Sequence, residues 1–273
     1  MAATRSRAVT RLVRTRTIVN HVSQKWSRVL CRREYLFAMG SSEALRDAID
    51  LTYHANVQNE LRDVLISDLI RLLAAIVLDD DVRRAGSICT AIHYLRNSKL
   101  LIELEKDYRV IPPLPSDNFE ASQDLKERET IQHAHHDREL QRNLEIFSTL
   151  LPTLDQIERD VLETDIASAI RKARNKAIAH YEVVRDGNDF RMWRLESAGL
   201  TFDQLNKYVD SCTEVVNQLY GFVLHKGVAF EMTTEIARKD VGLYIDALVN
   251  GLHAYKADEP NRRAAGRRKL GLE

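Results

Sequence analysis

Leu12, Val19, Val22, Trp26, Val29 and Leu36 recur at intervals of three, four and seven, the spacing that stacks side chains on one face of an α-helix and cannot serve a strand, whose faces alternate every second residue. It predicts a first helix over 9–39, stopped at Gly40-Ser41-Ser42, where glycine takes a left-handed cap and a serine starts the next helix. Leu61, Leu65, Leu69, Leu72, Leu73 and Ile76 then predict a second helix over 42–78, with a break near Asn56. So broad a stripe suits the most buried helix of the chain. Ser87 can cap a third, with Ile88, Ile92, Leu95 and Ile102 on one face.

Pro112, Pro113 and Pro115, three of the five prolines, end that helix. Proline locks φ and has no amide proton, so the segment runs as an extended linker. The predicted organisation is an N-terminal helical half over 1–107, a Pro-rich linker over 108–118, a C-terminal helical half over 119–257 and a basic tail over 258–273. Residues 120–143 are strongly charged and predict an exposed helix, with an apolar face only toward Leu144, Phe147 and Leu151. Pro152 allows a break, 155–163 makes a short helix, and Thr164 or Asp165 caps the next one. Asp186-Gly187 between β-favouring residues of 183–193 predicts a small hairpin. Thr201 with Gln204 reads as a capping box for a helix bearing Phe202, Leu205, Val209, Val216, Leu219, Tyr220 and Val223. A further helix is expected over 234–255, and disorder after Ala257. The expected fold is all-α: a helical bundle of about seven helices with one small β-hairpin.

The 273 residues can bury roughly 70–75% of the surface of the unfolded chain. Lys plus Arg equals Asp plus Glu at 40 each, so attraction to nucleic acid must be local. It is: residues 1–33 carry Arg5, Arg7, Arg11, Arg14, Arg16, Lys25, Arg28, Arg32 and Arg33 with no acid, and 262–269 are again Arg-rich. An organellar transit peptide is the lesser reading of that start, because the stripe through Trp26 is core-facing. Cys31, Cys89 and Cys212 have no paired or metal-like spacing, which suits a reducing compartment. The longest nearly apolar run, 69–78, is too short to span a bilayer. A soluble, cytoplasmic chain with no membrane partner is expected. Asp79-Asp80-Asp81 reads as a solvated turn, and His133, His135 and His136 as a solvated face; no metal and no cofactor is expected.

The most informative stretch is 170–181, Ile-Arg-Lys-Ala-Arg-Asn-Lys-Ala-Ile-Ala-His-Tyr, read as the last turns of a helix starting near Asp165. At about 100° per residue, Ile166, Ile170, Ala173, Ala177 and Tyr181 form one apolar seam, with Arg174 and His180 roughly 60° to either side of Ala177. Small residues at the seam admit a second backbone, and a cation facing a titratable imidazole makes an anion site.

Arg174-Asn175 followed by four residues and His180 resembles the Arg-polar-x(3–5)-His signature of the HEPN superfamily, and Ala-Ile-Ala-His at 177–180 is typical of it. The Trp-bearing first helix, long apolar second helix and late motif helix resemble the abortive-infection, AbiU-like branch. The resemblance implies a metal-independent endoribonuclease in prokaryotic phage defence or a toxin system, an RNA partner, a homodimer bringing two motifs face to face, and an antitoxin partner protein. It makes Arg174 the phosphate clamp, His180 the general acid or base and Asn175 a positioning residue. An ideal helix, though, places Asn175 opposite the seam.

The chemistry is coherent. RNA cleavage by its own 2′-hydroxyl needs a proton removed there, one delivered to the leaving 5′-oxygen, and charge on phosphorus stabilised. A histidine exchanges protons near neutrality, and a guanidinium stays charged while binding two phosphate oxygens. Arg171, Lys172 and Lys176 add positive charge for RNA binding, or form an ordinary solvated face. Gly-rich phosphate loops, Gly-x-Ser-x-Gly elbows and Cys-x-x-Cys pairs are absent, which leaves Cys31 or Cys89 as the weak case for another nucleophile. The alternatives are a non-catalytic dimer that binds RNA or a protein partner, and a helical adaptor whose Arg174 and His180 are satisfied internally.

Overall fold

The stripe that opens the sequence is buried along its whole length: Leu12, Val19, Val22, Trp26, Val29 and Leu36 are at most 6% exposed in the computed structural model, which describes residues 2–49, 53–82, 85–115, 124–175, 183–186, 189–192 and 199–269. Such side chains stabilise by roughly 1.5–3 kcal/mol each when removed from water, enough to order helix α1 (Ala2–Ser41) despite its arginines.

The described chain continues through α2 (Glu43–Ile49), α3 (Tyr53–Leu73) with a π-helical extension Ala74–Leu78, α4 (Ile88–Leu95), α5 (Ser98–Tyr108), α6 (Leu125–Ser148), α7 (Leu150–Ile157) with a π-helical turn Glu158–Leu162, and α8 (Asp165–Ala173). After it come strands β1 (Val183–Asp186) and β2 (Asp189–Met192), then α9 (Phe202–Leu224), α10 (Phe230–Ala257) and α11 (Glu259–Lys269). The strands pair antiparallel, Val183 opposite Met192 and Asp186 opposite Asp189. The turn residues 187–188 lie outside the described residues.

The chain is all-helical apart from that pair, but with eleven α-helical segments among the described residues rather than about seven. Local caps make the difference. Ser42 Oγ accepts from the Leu45 amide and separates α2 from α1. Asn97 caps α5 through the Leu100 amide at 3.3 Å, cutting the expected third helix in two. Ile102 therefore leaves the face of Ile88, Ile92 and Leu95 and is 57% exposed. The second helix is also less buried than expected: Leu61 is 38% exposed, and only from Leu69 onward does α3 sink into a core.

Pro152 does not break a helix but sits in the first turn of α7, where its missing amide proton has no carbonyl to meet. The break falls at Thr149, so Leu150 is buried and Leu151 is 45% exposed. The expected disorder of the tail gives way to α11, a charge-rich helix carried by Ala264, Ala265 and an Arg263–Glu259 pair one turn apart. Ser87 caps α4, the capping box of Thr201 and Gln204 is complete, and α6 buries no side chain.

The chain divides into two units. Unit one comprises Met1–Lys25, Ala74–Lys172 and Glu196–Val228, so residues on both sides of the Pro-rich segment belong to it. Within it the Tyr108 hydroxyl donates to the Phe222 carbonyl at 2.9 Å and Arg16 Nε to the Val223 carbonyl at 3.4 Å, joining α1 and α5 to the end of α9. Unit two comprises Trp26–Leu73, Ala173–Leu195 and Ala229–Glu273. Its core packs Leu45 and Ala48 of α2 against Val241, Ile245 and Leu252 of α10. Glu34, 4% exposed, accepts from Arg238 Nε at 3.1 Å and from Arg33 at 3.1 Å.

Candidate functional site on the motif helix

The helix bearing the motif begins where two signals coincide. At Glu158–Leu162 the chain widens into a π turn, with the Glu163 amide reaching back five residues to the Glu158 carbonyl at 2.9 Å. Thr164 Oγ1 then accepts from the Ala167 amide at 3.2 Å, capping α8. Ala167, Ile170 and Ala173 are fully buried and Ile166 half-buried.

Arg171 turns back along this helix. Its Nη1 donates to the Leu162 carbonyl at 3.2 Å, a group the π turn leaves without its usual helical partner. The same guanidinium lies against Cys89 of α4. Burial pushes the Cys89 thiol up to about 11 even though Arg171 pulls it down, so almost none of it is thiolate at neutral pH. That argues against Cys89 as a nucleophile. Tyr208 of α9 completes the cluster: its hydroxyl donates to the Val161 carbonyl at 3.2 Å, and burial, followed by neighbouring Cys212, pushes it far up. Nothing in the spacing of Cys89, Arg171 and Tyr208 announces this cluster, because it is made by three helices distant in sequence.

Lys172 is exposed. Arg174 and Asn175 follow in a second, wider π turn, Arg174 half-buried and Asn175 exposed. Arg174 has no hydrogen-bond or ion-pair partner among the described residues. The π turn also matters for the helical wheel. Each residue in it advances less than 100°, so the angles of an ideal helix do not hold at Arg174 and Asn175. Lys176, Ala177, His180 and Tyr181 lie outside the described residues.

Among the described residues, no three His, Cys, Asp or Glu are placed to hold a metal ion, and no helix is long and apolar enough to cross a membrane. The HEPN_AbiU2 family model, described as AbiU2, matches residues 15–243. The chain belongs to this HEPN family. The match runs from α1 to the first half of α10, so it takes in the motif helix and the strand pair. No curated protein and no solved structure matches the chain. For this AbiU2-family chain the family places the molecule in the abortive-infection branch of HEPN proteins.

Proposed function

We propose that this AbiU2-family protein is a metal-independent endoribonuclease of HEPN type, working as a homodimer in phage defence or a toxin system. The observation that carries the reading is Arg174, a half-buried guanidinium in the motif with no hydrogen-bond or ion-pair partner among the described residues. A partly desolvated, permanently charged fork is suited to the oxygens of a phosphate. Arg174 binds the scissile phosphate and stabilises the charge that builds on it. His180 exchanges the proton, and Asn175 orients the substrate.

One imidazole cannot reach both the attacking 2′-oxygen and the leaving 5′-oxygen, which lie on opposite sides of phosphorus. Two motifs brought face to face supply one histidine for each, which is why the proposal includes the dimer. Lys172 and Lys176, with Arg171 in part, draw the RNA backbone by charge without sequence preference. An antitoxin protein would restrain such an activity.

The test is incubation of the purified protein with a mixed pool of single-stranded and structured RNA in excess chelator, beside Arg174→Ala and His180→Ala. Cleavage by the parent and its loss in both folded variants supports the reading. An intact pool with undiminished RNA binding favours the non-catalytic dimer instead.

A further inference from the structure

Away from the motif helix, within unit one, α1 and α4 border a cleft of about 440 Å³ that the proposed reaction does not use. Its lining includes Arg11, Arg14, Val82, His93, Tyr94 and Asn97, and no carboxylate is among the residues that line it. That is a local excess of positive charge in a chain whose acids and bases balance at 40 each.

The cleft is also organised. Arg14 Nη2 and the Tyr94 hydroxyl both donate to the Val82 carbonyl, at 3.2 and 3.1 Å. This holds the guanidinium over the Tyr94 ring, 5.3 Å from its centroid. His93 meets Tyr94 edge-on at 5.8 Å. Arg11 and His93 are exposed. Asn97 accepts the Leu100 amide through its oxygen, so its amide nitrogen is the end left to donate.

We propose that this cleft is a second RNA contact, in which Arg11 binds a phosphate of a single strand while a neighbouring base stacks on the Arg14–Tyr94 pair. The proposal rests on RNA being the partner of the motif site and extends that reading to the basic first helix. A guanidinium held over an aromatic ring offers a stacking surface for a base, and only an unpaired base can reach it. The volume suits one nucleotide rather than a duplex. Asp79, Asp80 and Asp81 precede Val82 in the sequence and weaken the local field, while Arg83 and Arg84 follow it. An acidic protein segment would use the charge of the cleft but not its stacking surface, so Tyr94 separates the two.

The test is fluorescence anisotropy of a short labelled single-stranded RNA on the full chain carrying His180→Ala, across a series of salt concentrations. Arg11→Gln, an exposed change, is expected to weaken binding about tenfold and to lower the dependence of log affinity on log salt by about 0.7. Tyr94→Leu, shown by circular dichroism to remain folded, is expected to weaken binding while leaving that slope unchanged. The proposal is overturned if Arg11→Gln binds as tightly and with the same slope, if the parent binds no RNA, or if polyglutamate displaces RNA equally from the parent and Tyr94→Leu chains. Binding that follows Arg11 and Tyr94, together with no cleavage by the chain that keeps His180, would refute the nuclease but keep the cleft. Cleavage that ignores Arg11 and Tyr94 would do the reverse.

Discussion

Arg171 donates to the Leu162 carbonyl at 3.2 Å, so the first cation of the motif region is spent on the turn that launches its own helix. Its neighbour Lys172 is exposed and has no such tie among the described residues. The two therefore separate by experiment. Arg171→Ala is expected to lower stability by about 1 kcal/mol, discounted for partial exposure, whereas Lys172→Ala stays within about 0.5 kcal/mol. Urea unfolding of both variants checks this. Equal losses would mean that the tie to Leu162 contributes nothing.

In unit two, Glu34 joins α1 to α10 through Arg238, with Arg33 on its other oxygen. Glu34→Ala removes both bonds from a site where the carboxylate is 4% exposed and takes this carboxylate from the largely buried Arg33. A loss of about 1–3 kcal/mol is expected, with the charge-assisted hydrogen bonds as the larger share. Thermal melting of Glu34→Ala beside Arg238→Ala measures it. Arg238 is 69% exposed, so its removal should cost less.

Ser87 has two roles in one hydroxyl: its oxygen accepts the Thr90 amide at 3.1 Å, capping α4, and it donates to the Asp79 carbonyl across the acidic turn. Ser87→Ala loses both inside a buried site, for an expected cost of about 1–2 kcal/mol. Thermal melting of Ser87→Ala beside the parent measures it, and an unchanged melting temperature would contradict it.

His225 closes α9 in a left-handed conformation, φ 54°, with its ring against Tyr108 at 4.5 Å. Burial lowers its pKa below the ordinary 6.5, Arg16 adds to that, and Asp107 opposes it. As pH falls, the unfolded chain therefore takes up this proton before the folded chain does. The associated stability is fully present above about pH 6.5 and is lost as pH drops from there toward the lowered folded value. Melting temperature at pH 5.5 and 7.5 should drop further on acidification for the parent than for His225→Asn, since asparagine tolerates the same backbone. Equal drops would contradict it.

Much of the fold was legible in the sequence wherever a feature is decided within a few residues. The stripe through Trp26, the capping box at Thr201 and Gln204, and the cap at Ser87 depend on local spacing. Asn97 was the miss: its cap divides a run whose apolar pattern alone reads as one helix, and Arg96 beside it pairs with Asp155 and Glu158 at 2.7 and 2.6 Å, partners some sixty residues away. The tail was misread because charge-rich composition argues for disorder, whereas the Arg263–Glu259 spacing argues for helix. Of the candidate site, the residue types and the capped start at Thr164 could be read. The π turn at Arg174 could not, since an ideal wheel has no means of representing an extra residue in a turn. The cluster of Cys89, Arg171 and Tyr208 was equally hidden, because only tertiary packing assembles it.

The most direct test of the central claim is mass spectrometry of the RNA ends made by the parent chain in excess chelator, beside His180→Ala. Attack by the adjacent 2′-hydroxyl, with His180 exchanging the proton and Arg174 on the phosphate, leaves 2′,3′-cyclic phosphate and 5′-hydroxyl ends, which His180→Ala should not produce. Ends bearing a 5′-phosphate, or cyclic ends made equally by the folded His180→Ala variant, would contradict the account.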